Sequence, residues 1–303
     1  MKIATQFGKL TKDYGIEGSI RILDKAGFEA MDYSLTGNMI PWEEGFFTDK
    51  DAPGFREYFQ NVAQIAKKYG MEICMTHAAF CPTFVDDPAE YAKVQQQTIR
   101  GIYATGIMNC PYIVVHPVQH PDFNNGQNKE RALQTNLDYF SAFVPVLKEN
   151  NVVMCIENLY WGYRPEPKTP NACTSAEQMV ELIDTLNAMH GNCFAACLDS
   201  GHAVISGQDP IHMLRVLGDR LRVLHIHDNY GKLDNHILPG KGVIDWKQFM
   251  KTLKEVGYQG HFNFEADQHW YDIAQTLYTE DVVVQGAKFK YDIGRMLLDM
   301  ISE

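Results

Sequence analysis

The chain is predicted to fold as a (β/α)8 barrel, one α/β domain covering residues 1–303. Two observations lead there. Short apolar runs alternate with longer amphipathic segments along the whole sequence, the pattern of repeated βα units on a parallel sheet, and the units number eight. A chain of 303 residues, 45% of them hydrophobic, can also bury one large core, and a single α/β barrel commonly has about this length.

The expected strands are KIATQ (2–6), AMDYSL (30–35), EICMTH (72–77), YIVVHP (112–117), VVMCIEN (152–158), FAACLDS (194–200), LRVLHIHD (221–228) and HFNFEA (261–266). Helical patterns lie between them at 15–26, 53–69, 88–106, 129–149, 174–189, 209–217 and 245–256, with a last one at 281–302. Thr174 with Glu177 three residues on is a cap signature for the helix that starts there. The proline-rich YRPEPKTPNA (163–172) is expected to be a long βα loop over the strand ends rather than a domain boundary. No low-complexity stretch or linker interrupts the chain.

A net charge of −11 offers no general attraction to phosphate polymers or anionic membranes, which argues against a nucleic-acid partner. MKIATQFGKL at the start lacks the apolar stretch of a signal peptide, and no run of about 18 apolar residues occurs, so a soluble, cytoplasmic protein is expected. Of seven cysteines, Cys74, Cys155 and Cys197 fall in expected strands, where a thiol behaves as a small hydrophobe. Without a CxxC pair, a cysteine zinc site is not expected.

In such a barrel the C-terminal ends of the strands converge on one mouth. Here strand three ends in His77, four in His116, five in Glu157, six in Asp199 followed by His202, seven in His225 and His227, and eight in Glu265. His225 and His227 are two apart and share a strand face, with Ile226 turned the other way. Taken singly, each has an ordinary explanation. His120, His190, His212, His261 and His269 suit loop hydrogen bonding, and Asp199 alone suits a helix N-cap. Jointly, carboxylates packed at one mouth would resist ionising together unless a cation held them. Glu157, Asp199, His225 and Glu265 are therefore expected to bind one divalent metal ion: Mn²⁺, Zn²⁺, Co²⁺ or Mg²⁺, among which the ligand types do not choose.

The motifs VVHP (114–117), CIENL (155–159), CLDSGH (197–202), LHIHDN (224–229), DNHILPGKGVIDW (234–246) and FNFE (262–265) resemble those of the xylose isomerase-like barrel superfamily over essentially the whole chain. That superfamily includes sugar and sugar phosphate isomerases and epimerases, inositol catabolic enzymes and metal-dependent abasic-site endonucleases. The resemblance implies a metal held by Glu157, Asp199, His225 and Glu265. It also implies an isomerase or epimerase acting on a small polyhydroxylated carbonyl compound, by proton abstraction beside the carbonyl through a metal-stabilised enediolate. In the similar epimerases the two glutamate ligands exchange protons with substrate, which here points to Glu157 and Glu265.

His202 and His116 are the next candidates to relay protons or hold hydroxyls. His77, His227, His236 and Trp161 are further substrate-binding candidates, and Lys241 in PGKG could meet a phosphate or carboxylate. Trp42, Phe46 and Phe47, with Tyr160, Trp161 and Tyr163, could wall a sugar face, pack the rim or form a homo-oligomer contact. Ketose 3-epimerases carry a second glutamate six residues beyond the first ligand and an arginine six beyond the histidine ligand. Tyr163 and Gly231 stand there in this chain, which argues against an ordinary ketose 3-epimerase, and the lysine motif of true xylose isomerases is absent.

Other readings are open. The same proton abstraction on a 3-keto-glycoside would give a β-elimination lyase. The abasic-site endonucleases bind three zinc ions, and their ligand types occur here in order as His77, His116, Glu157, Asp199, His202, His225, Asp234, His236 and Glu265. Against the endonuclease stand the acidic charge, the lack of a basic and aromatic stripe for DNA, and the second histidine of LHIHDN. A non-catalytic sugar-binding barrel would be expected to lose ligands that this chain keeps.

Overall fold

The computed structural model describes residues 1–35, 51–79, 88–120, 123, 128–160, 172–271 and 277–302. Its strands are β1 (Ile3–Gln6), β2 (Ala30–Ser34), β3 (Glu72–His77), β4 (Tyr112–Val115), β5 (Val153–Glu157), β6 (Phe194–Asp199), β7 (Leu221–His225) and β8 (Phe262–Phe264). They pair in parallel in the order β7-β6-β5-β4-β3-β2-β1-β8. A bridge between Ile226 and Phe264 joins the two ends: the Ile226 N–H donates to the Asn263 carbonyl at 2.8 Å, and the Glu265 N–H to the Ile226 carbonyl at 3.0 Å. The sheet is thereby a nearly closed (β/α)8 barrel.

Around it lie α1 (Gly8–Ala26), α2 (Phe55–Lys68), α3 (Pro88–Ile107), α4 (Lys129–Ser141), α5 (Val144–Asn150), α6 (Ala176–His190), α7 (Ser200–Ile205), α8 (Pro210–Leu217), α9 (Trp246–Glu255), α10 (Gln268–Tyr271) and α11 (Glu280–Asp299). No helix among the described residues is long and apolar enough to cross a membrane.

Strand alternation separates two cores. One face of each strand, with Ile3, Met31, Tyr33, Ile113, Ile156, Leu198, Leu224 and Phe264, packs against the helices. The other face fills the barrel with smaller groups: Ala4, Ala30, Cys74, Val114, Cys155, Ala195, Cys197 and Val223. The strand cysteines thus act as small buried hydrophobes, as expected. This narrow filling stops at the strand ends, and the polar layer begins one step above it on the same face.

Several boundaries differ from the sequence expectation. α1 begins at Gly8, and a kink at Gly15 (φ 66, ψ −179) separates its first turns from the stretch that the sequence pattern marks at 15–26. The 129–149 helix divides into α4 and α5, where Pro145 lacks the N–H a continuous helix needs and instead sits in the first turn of a new one. The cap of α6 is Ser175, not Thr174. The Gln178 N–H reaches the Ser175 hydroxyl at 3.4 Å, and the Gln178 side chain accepts from the Ser175 N–H at 3.2 Å, a capping box one residue later than expected. β7 ends at His225 rather than 228, β4 at Val115 rather than 117, and β8 at Phe264, leaving Glu265 just past its strand. The short helix α10 has no counterpart in the sequence pattern, and α7 only the N-cap suitability of Asp199. At the far end of the chain Lys290 of α11 is fully buried, donating to Thr5 Oγ1 at 3.0 Å and Asp267 Oδ1 at 3.1 Å, which ties the last helix to the mouth.

Candidate metal centre

Parallel pairing sets Asp199 beside His225 on β6 and β7, and Glu157 beside Cys197 on β5 and β6. Glu265 joins them from the β8 end. The result is a group of Glu157, Asp199, His225 and Glu265 whose ligand atoms lie within 4.8 Å of one another. His225 Nδ1 is 2.9 Å from Glu265 Oε2 and 3.3 Å from Glu157 Oε1. Yet both Glu157 oxygens, His225 Nδ1 and Glu265 Oε2 are buried without an aligned hydrogen bond. Short separation without alignment is what donors aimed at a shared point produce, and buried polar atoms left in this state call for a bound ion. The residues therefore fit a divalent cation.

The charges are consistent with that. Burial pushes the Glu157 carboxyl upward, but His225 and His116 outweigh it and hold the group well below the usual carboxylate range. For Glu265 burial is likewise opposed, chiefly by His225 and then by His236, and it too is held well below the usual range. Burial lowers His225, whereas Cys197, Glu265 and Glu157 raise it well above the ordinary imidazole value. In the metal-free chain the imidazoles take the place of a cation; with an ion bound that charge would come from the metal.

Two further groups flank the first. On one side His77 Nε2 and His116 Nε2 approach Glu157 Oε2 at 3.4 Å and 3.2 Å. On the other, His202, His227, Asp234 and His236 form a second set. His236 Nε2 lies 2.9 Å from Asp234 Oδ2, and its Nδ1 donates to the Glu265 carbonyl at 2.7 Å. Burial alone would lower His236, but the Asp234 carboxylate raises it to about 10. His202 Nδ1 donates to the Asn158 carbonyl at 3.0 Å and also lies 3.2 Å from Glu157 Oε1. His227 stacks on His236 with centroids 4.2 Å apart, and its Nε2 contacts Asp199 at 2.9 Å. Any Cβ at Gly201 would strike the His227 ring, which is why glycine precedes His202.

Asp199 meets both descriptions considered for it: it faces the central group, and its Oδ1 accepts the His202 N–H at 2.6 Å as the N-cap of α7. Lys241 sits exposed on a turn, with no ion pair among the described residues. Tyr160 donates to Asp234 Oδ2 at 3.3 Å. Trp161, Trp42, Phe46, Phe47 and Tyr163, with the 163–171 part of the proline-rich segment, lie outside the described residues. Of the ordinary histidines, His212 pairs with exposed Glu177 at 2.9 Å and His190 with Ser141 at 2.8 Å, both away from the mouth.

Three contributors escaped the sequence reading. Asp32 of β2 is fully buried, with Oδ2 3.5 Å from His225 Nε2. Asn158 clamps β6 by accepting the Asp199 N–H at 2.7 Å and donating to its carbonyl at 2.9 Å. Asp228 gathers the 240–244 turn, accepting from Gly240, Gly242, Val243 and Ile244 N–H and from Trp246 Nε1 at 2.8 Å. The available signal was a carboxylate at the centre of an apolar strand, as in AMDYSL.

With this geometry, comparison with known proteins assigns the class. The model of the xylose isomerase-like TIM barrel family matches residues 20–289, and the chain belongs to that family. Among relatives, an uncharacterised protein of Sinorhizobium fredii is 27% identical over 173 residues, 56% of this chain and 52% of that one. A D-psicose 3-epimerase of Enterocloster bolteae is 30% identical over 140 residues, 45% of this chain and 40% of the relative. The matches thus span about half the length of these curated relatives or less. Among solved structures, an L-ribulose 3-epimerase superposes with a TM-score of 0.73 at 14% identity, covering 98% of this chain and 94% of the other. The IOLI protein with a binding zinc atom gives 0.72 at 17%, covering 98% and 99%. At these identities the superpositions establish the shared barrel.

Proposed function

We propose that this chain is a metal-dependent isomerase or epimerase of a small sugar or sugar phosphate. The observation that carries the reading is the unequal exposure within the central group. The Glu265 side chain is 13% exposed, whereas Glu157 is at 1% and His225 at 0%. One ionised carboxylate therefore opens to the mouth beside a set of closed ligands. A divalent ion held by Glu157, Asp199, His225 and Glu265 would supply positive charge to polarise a carbonyl and its neighbouring hydroxyl.

Glu265 then has the role of base. Its charged form, favoured by His225 and His236, takes the proton from the carbon next to the carbonyl. The resulting enediolate of the substrate is reprotonated at the adjacent carbon for isomerisation, or on the opposite face for epimerisation. Opposite-face return needs a second group, and Glu157 is enclosed by His77, His116, His202 and His225. One-base transfer through Glu265 is accordingly the form this site favours. His202 and His236 flank it, both rings oriented by Asp234.

The test is a screen of ketoses, aldoses and keto-glycosides in deuterated solvent with Mn²⁺ or Co²⁺ present. One-base isomerisation carries part of the substrate hydrogen into product, and two-base epimerisation brings in solvent deuterium. A keto-glycoside that loses its aglycone would mark the lyase, and no exchange with any of these compounds would refute the proposal. The flanking groups favour one second reading, a trinuclear zinc phosphodiesterase, because His77, His116 and Glu157 and the His202, His227, Asp234 and His236 set are also metal-competent. Metal analysis of protein purified without added ion or chelator separates the two. Close to one ion per chain supports sugar chemistry, and close to three zinc ions with cleavage of abasic-site DNA supports the phosphodiesterase.

A further inference from the structure

The polar layer of the barrel contains a carboxylate, Asp32, that the proposed chemistry leaves unused. Asp32 sits in the middle of β2, between Met31 and Tyr33, which face the helices. Alternation turns Asp32 to the barrel axis, above Ala30 in the small-residue filling. It is fully buried, its Oδ1 has no hydrogen-bond partner, and its Oδ2 has the Asn263 amide at 3.5 Å and His225 Nε2 at 3.5 Å. No lysine or arginine is paired with it among the described residues. A carboxylate so enclosed is costly unless a good donor serves it. Of its two neighbours, only the imidazole also belongs to the metal-competent group.

The two nitrogens of His225 face different surroundings. Nδ1 looks into the group, toward Glu265 Oε2 and Glu157 Oε1, and Nε2 looks away from it, toward Asp32. We propose that Asp32 is the positioning residue of the metal centre: by accepting the Nε2–H of His225 it fixes the ring with Nδ1 as the free ligand atom. Asn263, donating to Asp32 from β8, holds the carboxylate in place. Support of this kind sets both the tautomer and the orientation of a ligating histidine, and its loss typically weakens metal binding about 10–100-fold. The contact spans the barrel from β2 to β7, so a strand that supplies no ligand still determines how one ligand is presented.

This inference rests on the metal reading above, and the experiment keeps the two apart. Mn²⁺ binding to the metal-free protein is measured by calorimetry for wild type, Asp32→Asn and Glu265→Gln, alongside thermal unfolding of each metal-free form. Asp32→Asn is expected to weaken binding about 10–100-fold with little change in metal-free unfolding. Binding within twofold of wild type overturns the positioning role, as does lowered stability with unchanged affinity, the mark of a purely structural pair. If wild type takes up no Mn²⁺, or Glu265→Gln binds it equally well, the central metal site fails and this inference with it. A measurement that needs no variant covers the case in which Asp32→Asn does not fold. In the ¹⁵N–¹H long-range spectrum of the Zn²⁺-loaded wild type, His225 should show a protonated, slowly exchanging Nε2 and metal on Nδ1. Metal on Nε2 overturns the proposal.

Discussion

The two faces of a single strand in this barrel carry different tasks, and β6 shows it most clearly. Ala196 and Leu198 face outward into the helix-packed core, while Cys197 and Asp199 face the axis, the first in the apolar filling and the second in the polar layer above it. The same holds for Ile156 against Glu157 and Leu224 against His225. Outward residues supply burial, which is non-directional and tolerant of apolar exchange. Inward strand-end residues supply geometry, for which a close substitute does not exist. Stability and activity should therefore be separable by choosing the face.

The largest expected effect lies on the inner face. Glu265→Gln keeps the shape of the side chain but removes the charge that accepts a proton. Turnover should fall roughly 10²–10⁴-fold, with the fold kept, in a steady-state assay on whichever substrate the deuterium screen identifies. Near-normal activity in this variant would end the assignment of Glu265 as the base. The outer-face counterpart is Leu198→Ala. Leu198 is fully buried, so truncation should cost about 2–5 kcal/mol of stability, read from denaturant unfolding. The folded fraction should bind Mn²⁺ as wild type does. A large loss of affinity in this variant would show that the faces are coupled and sharpen the comparison into a question of strand position.

The flanking set gives a pH-dependent effect of intermediate size. His236 is raised in the folded chain to about 10 from the ordinary value of 6.5. Its contribution is complete below pH 6.5 and is lost as pH rises toward 10. Glu157 and Glu265 have the opposite sign: depressed in the folded chain, they contribute above the ordinary carboxylate value of 4.5 and lose that contribution as pH falls. Metal-free protein should thus lose stability from pH 6.5 upward. Metal binding needs neutral imidazoles and strengthens over the same range, so the gap between metal-loaded and metal-free unfolding temperatures should widen with pH. With one ion at the central group the His236 contribution survives metal loading; with an ion at the flanking set it disappears. Unfolding scans from pH 6 to pH 10, with chelator and with excess Mn²⁺, measure both.

This division of labour also explains what was legible in the sequence. The eight strands were readable because outward apolar residues recur with period two and the helices between them are amphipathic. His77, His116, Glu157, Asp199, His225 and Glu265 were readable because each follows an apolar run, and a barrel brings all such ends together. Asp32 was not, because it lies inside its strand, and only the three-dimensional closure of the barrel brings β2 opposite β7. Asn158 and Asp228 were missed for a related reason. Apart from Trp246 Nε1 on Asp228, their partners are backbone groups, which every residue carries and no sequence pattern marks. Boundaries shifted where local chemistry competed: the cap moved from Thr174 to Ser175 because Gln178, not Glu177, closes the box.

That cap provides the smallest and cleanest check. Ser175 belongs to neither strand face; it starts α6, whose Ala176, Met179, Leu182, Ile183 and Leu186 bury against the barrel. Ser175→Ala removes the hydroxyl that accepts the Gln178 N–H and should cost about 1 kcal/mol, within a range of roughly 0.5–2. Urea unfolding should register that loss. Mn²⁺ affinity and deuterium exchange should stay at wild-type levels, because the inner end of β6 is held separately by Asn158 and by the Asp199–His225 pairing. If Ser175→Ala instead weakened metal binding, the helices would be setting the position of Asp199 through β6, and the separation between outward packing and inward geometry would fail at the strand where it is clearest.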